Sequence, residues 1–233
     1  MNLGPDPSRG PDPADVGAAY SRVNYEVPGL ADDEVAADPL SQFDRWLREA
    51  VTAGVKEPTA MSLATCGPDG PSVRVVLAKS VDRDGVVFYT NLESDKGREI
   101  GYDPRVALVF AWLPLHRQVR VTGTAQQVDR ETAKEYFDTR PRGARIGAWA
   151  SPQSQLLSSR SELDDLVAEA EARFPGEQVP LPAHWGGYRV RVDQIEFWQG
   201  QPSRLHDRVR FRALRTAAAL DIPQDWQVTR LAP

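Results

Sequence analysis

The spacing of hydrophobic and polar positions changes period along this chain. Between Asp38 and Gly54, Leu40, Phe43, Trp46, Leu47, Ala50 and Val51 recur at three- and four-residue intervals, the apolar stripe of an amphipathic helix. Asp38 is placed to cap that helix, Pro39 suits its first turn and Gly54 its end. From Thr59 the pattern becomes that of strands. The runs Ala60 to Cys66, Ser72 to Val81, Val86 to Asn91, Val106 to Leu113 and Gln118 to Val128 are β-branched or apolar, and Gly67-Pro68-Asp69-Gly70 and Asp82-Arg83-Asp84-Gly85 supply turns between the first three. Successive hairpins of this kind build an antiparallel sheet or barrel.

Helical segments interrupt the strands. Ser94 opens a short helix that stops before Pro104, Arg130 to Thr139 forms another, and Ser159 to Phe174 is a longer amphipathic helix ended by Pro175-Gly176. After the Pro-rich loop Val179 to Ala183, strands are expected over Tyr188 to Trp198 and Asp207 to Arg212. An enlarged connection, Thr216 to Gln224, precedes a last strand at Trp226 to Thr229. Met1 to Ala19 is rich in Pro, Gly and Asp, which predicts a disordered or loosely attached arm, with residues 20–233 forming one domain. The class is mainly β with peripheral α (α+β).

Composition narrows the function. A chain of 233 residues with 41% hydrophobic content builds a core without staples, and its single cysteine, Cys66, lies in an apolar run that suits a structural thiol. Lys and Arg number 28 against 33 Asp and Glu, a net charge of −5 that argues against nucleic acid or an anionic membrane as partner. His116, His184 and His206 are too scattered for a metal site. No apolar stretch has the length of a membrane span and the N-terminus lacks a signal peptide's apolar core, so a cytoplasmic location is expected. A dinucleotide cofactor is not expected, because the glycine fingerprint that cradles one is missing.

Basic residues therefore act locally. Arg74 and Lys79 stand in an otherwise apolar run, where buried cations need anionic partners. Their five-residue separation puts them on opposite faces of an ideal strand, so they serve different anionic groups or a bulge intervenes. Downstream, Tyr89-Thr90-Asn91 ends a strand and Ser94-Asp95-Lys96 begins a helix, whose free backbone N–H groups can receive a phosphate beside the Lys96 charge. Tyr136 and Arg140, four apart on a helix, share a face on which a phenol and a guanidinium can hold a second phosphate. Near the C-terminus, Arg204, His206 and Arg208 alternate after Trp198-Gln199-Gly200, and on an extended strand they project from one side.

Taken together, these separated motifs and the ending Arg230-Leu231-Ala232-Pro233 resemble the pyridoxamine 5'-phosphate oxidases, in the family's order from about Arg22 to Pro233. The resemblance implies an FMN-binding split β-barrel acting as a homodimer with its flavin sites in the subunit interface. It implies oxidation of pyridoxamine 5'-phosphate or pyridoxine 5'-phosphate to pyridoxal 5'-phosphate, with oxygen as acceptor and hydrogen peroxide formed. By the same resemblance the stretch Arg74, Val75, Val76, Leu77, Ala78 and Lys79 belongs to the FMN site, with Tyr89, Thr90, Asp95, Lys96, Gln118, Gln153, Ser154, Trp198 and Arg208. Lys79, Tyr136, Arg140 and the residue at Ala144 meet the substrate phosphate, Arg204 and His206 clamp the pyridine ring and are the catalytic pair, and Arg22 and Tyr25 close over the substrate.

Two departures stand out. Asp95 replaces a basic or neutral residue of many members, and a carboxylate beside a phosphate repels it unless it points outward, the orientation expected here. Ala144 replaces a serine, which removes one hydrogen bond to the substrate phosphate. The remaining alternatives are a related split-barrel reductase using another flavin or a deazaflavin, and a non-catalytic binder of pyridoxal 5'-phosphate.

Overall fold

The computed structural model describes Tyr25 and residues 27–233, so the expected arm at 1–19 and Arg22 lie outside the described residues. The first helix, α1 (Pro39–Thr52), starts as its sequence requires: Asp38 accepts the Ser41 N–H at 2.8 Å and Pro39 occupies the first turn. Its apolar stripe buries Phe43, Trp46 and Ala50, with Phe43 edge-on to Phe110 at 5.1 Å and Trp46 edge-on to Phe197 at 5.3 Å.

Nine antiparallel strands follow: β1 (Ala60–Gly67), β2 (Gly70–Leu77), β3 (Ser80–Asp82), β4 (Gly85–Asn91), β5 (Arg105–Trp112), β6 (Arg117–Gln127), β7 (Trp185–Gln199), β8 (Asp207–Ala213) and β9 (Trp226–Arg230). Seven are ordered β2-β1-β5-β6-β7-β4-β3, and β8 joins β7 with β9 beyond it. The 15-residue β7 is where the sheet divides. It pairs with β6 along one edge, while its other edge meets β4 over Trp185 to Val190 and β8 over Gln194 to Gln199.

The two end strands of the path, β2 and β3, are consecutive in the chain, so the sheet curls into a barrel with its seam at Ala78-Lys79. There the Ala78 N–H reaches Thr59 O at 2.9 Å and the Lys79 N–H reaches Val87 O at 2.7 Å. Alternation fills the interior: Met61 and Leu63 of β1, Leu108 and Phe110 of β5, Val119 and Val121 of β6 and Phe197 of β7 are all buried. The mainly-β class read from the pattern and the split barrel implied by the resemblance both hold.

Four further helices lie at the periphery: α2 (Asp95–Tyr102), α3 (Arg130–Thr139), α4 (Arg142–Ala150) and α5 (Arg160–Arg173). Three features differ from the sequence reading. The run Ser72 to Val81 is two strands, because the chain crosses the seam within it. Helix α4 was not anticipated, since Gly143 and Gly147 weaken its signal; it is held by Ile146 and Ala150 buried against α5, of which only Ala170 is itself buried. Finally, Arg204 and His206 are not on a strand. Ser203 and Arg204 adopt left-handed backbone conformations (φ 56° and 67°) in a tight turn over Pro202–Arg204, and β8 begins only at Asp207. Among the described residues no helix is long and apolar enough to cross a membrane.

Candidate active site

Strands, helices and loops from across the chain converge on a cavity of about 970 Å³, at the upper end of the range for small-molecule sites. Strand β2 supplies Arg74, Val75, Val76 and Leu77, and the seam adds Lys79. Because the strand stops at Leu77, the two cations expected on opposite faces line the same cavity. The end of β4 and the start of α2 bring Tyr89, Thr90, Asp95 and Lys96, and the α3–α4 junction brings Tyr136, Arg140 and Ala144. Gln153 and Ser154 close the cavity from the loop after α4. Ala78 is the exception in its stretch, being buried in the barrel core.

The aromatic wall was only partly legible. Tyr136 stacks on Tyr89 with centroids 4.1 Å apart, and Tyr89 lies parallel to Trp185 at 5.6 Å. Trp185 was not identified from the sequence; Trp185-Gly186-Gly187 at the head of a strand is the signal that could have found it. Gly187 pairs directly with Tyr89, and a Cβ there would come within 2.6 Å of the Tyr89 ring, so only glycine lets the stack form. Arg130 anchors this end of β7 through the carbonyls of Leu181, Pro182 and Trp185.

The cations are arranged for an anion. Lys96 is buried, and its Nζ donates to the hydroxyls of Thr90 at 3.2 Å and Ser94 at 3.1 Å. Burial and then the nearby Arg74 push its pKa down, so its charged form lacks compensation that a phosphate would provide. Arg140 stacks over Trp185 at 4.8 Å, and its Nη1 is buried with no hydrogen-bond partner among the described residues. Such an atom fits an anionic ligand.

Ser94 sits at the N-cap of α2 without capping it: its hydroxyl accepts from Lys96 and donates to Asn91 O at 2.6 Å, so no side-chain cap occupies the first N–H groups of the helix. Asp95, on the cavity rim, is 58% exposed and turned to Arg98 one turn on. Gly97 fixes this corner. A Cβ at Gly97 would lie 2.0 Å from Leu92 O, a backbone clash with no flexible atom to yield. Gly97→Ala is therefore expected to cost about 1–3 kcal/mol of stability and to loosen the corner that holds Lys96, read as a lower melting temperature.

The other sequence-predicted residues form a second group outside this cavity. Gln118, Trp198 and Arg208 are directly paired across β6, β7 and β8. His206 packs on Trp198 with centroids 4.6 Å apart, and Tyr25 touches His116 at 4.2 Å and His206 at 5.9 Å. Arg208 is held by buried Glu196 (Nε to Oε1, 2.8 Å), with Nη1 on Ala232 O at 2.9 Å. His116 was passed over in the sequence as one of three scattered histidines.

The protonation state of His206 follows from geometry. The Gln201 backbone N–H donates to His206 Nδ1 at 3.0 Å, so Nδ1 is the acceptor and Nε2 carries the proton. Burial and the charge of Arg204 lower its pKa. As pH falls below about 6.5 the unfolded chain takes up this proton first, so the residue's contribution to stability declines on acidification and is unaffected at higher pH. Ring ¹⁵N NMR is expected to show an Nε2–H tautomer titrating below the ordinary histidine value; an Nδ1–H tautomer would contradict the arrangement.

Comparison with known proteins agrees with this geometry. Residues 47–174 match the family described as pyridoxamine 5'-phosphate oxidase, and residues 185–233 match a pyridoxine 5'-phosphate oxidase C-terminal dimerisation region. The pyridoxine/pyridoxamine 5'-phosphate oxidase of Salinibacter ruber is 48% identical over 91% of this chain and 97% of its own, and that of Rubrobacter xylanophilus 56% over 81% and 87%. Among solved structures, PhzG of Burkholderia lata in complex with tetrahydrophenazine-1-carboxylic acid superposes with TM-score 0.79 at 32% identity, covering 90% of this chain and all of that one. A pyridoxamine 5'-phosphate oxidase-related, FMN-binding protein of Nostoc punctiforme shares the fold, with TM-score 0.63 at 15% identity over 82% of this chain and 97% of its own.

Proposed function

We propose that this chain, which belongs to the pyridoxamine 5'-phosphate oxidase family, binds FMN and oxidises pyridoxamine 5'-phosphate or pyridoxine 5'-phosphate to pyridoxal 5'-phosphate. The observation that carries this reading is the convergence of Arg74, Lys79, Lys96 and Arg140 on one aromatic-walled cavity. Arg74, Lys96 and the start of α2 hold the flavin phosphate, with Thr90 and Gln153, themselves 3.3 Å apart, lining the flavin site. Lys79, Tyr136 and Arg140 hold the substrate phosphate, and Ala144 leaves that phosphate one hydrogen bond short of the serine-bearing relatives. FMN held there would supply the hydride acceptor, with oxygen as the final oxidant yielding hydrogen peroxide. Lys79 and Arg140, the two cations left after the flavin phosphate is met, favour a phosphorylated substrate over a bare carboxylate such as the PhzG ligand.

The working unit is a homodimer. Trp198, Arg204, His206 and Arg208 fall in the stretch that matches a dimerisation region, away from the cavity of their own chain. Val73 and Val75, each 68% exposed, flank Arg74 and present an apolar edge for a second copy to cover. In that unit Arg204 and His206 of one subunit clamp the substrate ring over the other subunit's flavin, beside Trp198 and Arg208. The test is to incubate the purified protein with FMN and pyridoxine 5'-phosphate in air. Aldehyde and peroxide in equal amounts are expected; no turnover, with binding of separately added pyridoxal 5'-phosphate retained, would instead identify a carrier.

A further inference from the structure

We infer that Glu99 is a positioning residue that aims Arg74 into the cavity and thereby sets the affinity for the flavin phosphate, an inference that rests on the FMN reading above. Glu99 lies on α2, one turn beyond Lys96, and reaches β1 and β2 from behind the cavity wall. Arg74 Nη2 meets Glu99 Oε2 at 2.7 Å, with the two side chains 22% and 18% exposed. Thr65 and Ser72 complete the arrangement: each hydroxyl donates to the Glu99 carboxylate and accepts from a different nitrogen of Arg74, and Nη1 also approaches Leu63 O at 3.5 Å. Arg74 lines the cavity, whereas Glu99, Thr65 and Ser72 do not. The carboxylate therefore holds the guanidinium from its far side.

Space for this brace is provided by Gly67, whose missing Cβ would stand 3.0 Å from Glu99 Cγ. Burial opposes ionisation of Glu99, but the hydrogen bonds from Thr65, Ser72 and Arg74 prevail and keep its pKa below the ordinary value, so it is charged at neutral pH. Two effects of that charge compete. It offsets part of the positive field felt by a phosphate, and it fixes an arginine that the neutral acceptors Thr65, Ser72 and Leu63 O alone hold less firmly. Fixation dominates, because Lys96 and the α2 N-terminus keep the corner attractive while a swung-away Arg74 loses its charge-assisted hydrogen bond altogether.

The test compares FMN with riboflavin, which lacks the phosphate, by fluorescence titration of wild type, Glu99→Ala, Glu99→Gln, Arg74→Ala and the Arg74→Ala/Glu99→Ala double variant. Glu99→Ala is expected to weaken FMN about tenfold and leave riboflavin unchanged, with Glu99→Gln in between, since it keeps an oxygen for Arg74. In the Arg74→Ala background the Glu99 substitution is expected to have no further effect. Equal losses for FMN and riboflavin, an undiminished loss in the Arg74→Ala background, or FMN binding unchanged or tighter in Glu99→Ala would each overturn the inference while leaving the flavin reading intact. Failure of the wild type to bind FMN would overturn both.

Discussion

Alanine at Arg204 or at His206 is expected to leave the yellow holoprotein intact and to lower kcat/KM by on the order of 100-fold. In the proposed dimer both side chains face the substrate ring, whereas Arg208 faces the flavin, so flavin content is expected to survive both substitutions. What they are proposed to control is the placement of the substrate's donor carbon. Arg204 is presented by a left-handed turn, and His206 is fixed by the Gln201 N–H and the Trp198 ring, a rigid pair suited to clamping an aromatic ring. Flavin absorbance and steady-state kinetics on the same preparations check this. Arg208→Ala is expected to differ by losing flavin, and near-normal kcat/KM in both Arg204→Ala and His206→Ala would remove the pair from the reaction.

The second large effect is expected at Arg140. Its Nη1 is buried without a partner among the described residues and its guanidinium lies over the Trp185 ring at 4.8 Å, so an incoming phosphate gains a charge-assisted hydrogen bond with little ordering cost. Arg140→Ala should raise KM for pyridoxine 5'-phosphate about 10- to 100-fold while FMN affinity stays within about twofold, because Lys96 and Arg74 are untouched. Lys79→Ala should act in the same direction more weakly, its Nζ lying 5.9 Å from the Tyr136 ring at the exposed seam. Unchanged KM in Arg140→Ala would move the substrate phosphate elsewhere.

Local signals carried the barrel. The hairpin turns, the Asp38-Pro39 helix start and the alternation of β1, β5 and β6 each have a physical cause readable in a short window. The site was less legible where it depends on chain breaks and distant partners. An unbroken apolar run hid the seam after Leu77, and with it the reason Arg74 and Lys79 share one cavity. Alternation at Arg204, His206 and Arg208 suggested a strand, but the left-handed turn at Ser203 and Arg204 leaves only Arg208 in β8. Partners such as Glu99 for Arg74 and Glu196 for Arg208 sit 25 and 12 residues away in sequence, and no short-range pattern marks them. The resemblance to a family brought together residues that spacing alone would have passed over, Gln153 and Ser154 among them.

In the proposed dimer a working site takes its cavity from one subunit and its Arg204–His206 clamp from the other. Co-expression of Arg140→Ala with His206→Ala tests it most directly. In a mixed dimer one site receives both substitutions and the other receives neither, so random pairing should restore about a quarter of wild-type activity, measured at substrate well below KM where both parents are weak. Activity no higher than that of the parents would contradict the account and place Arg140 and His206 in a site built within one chain.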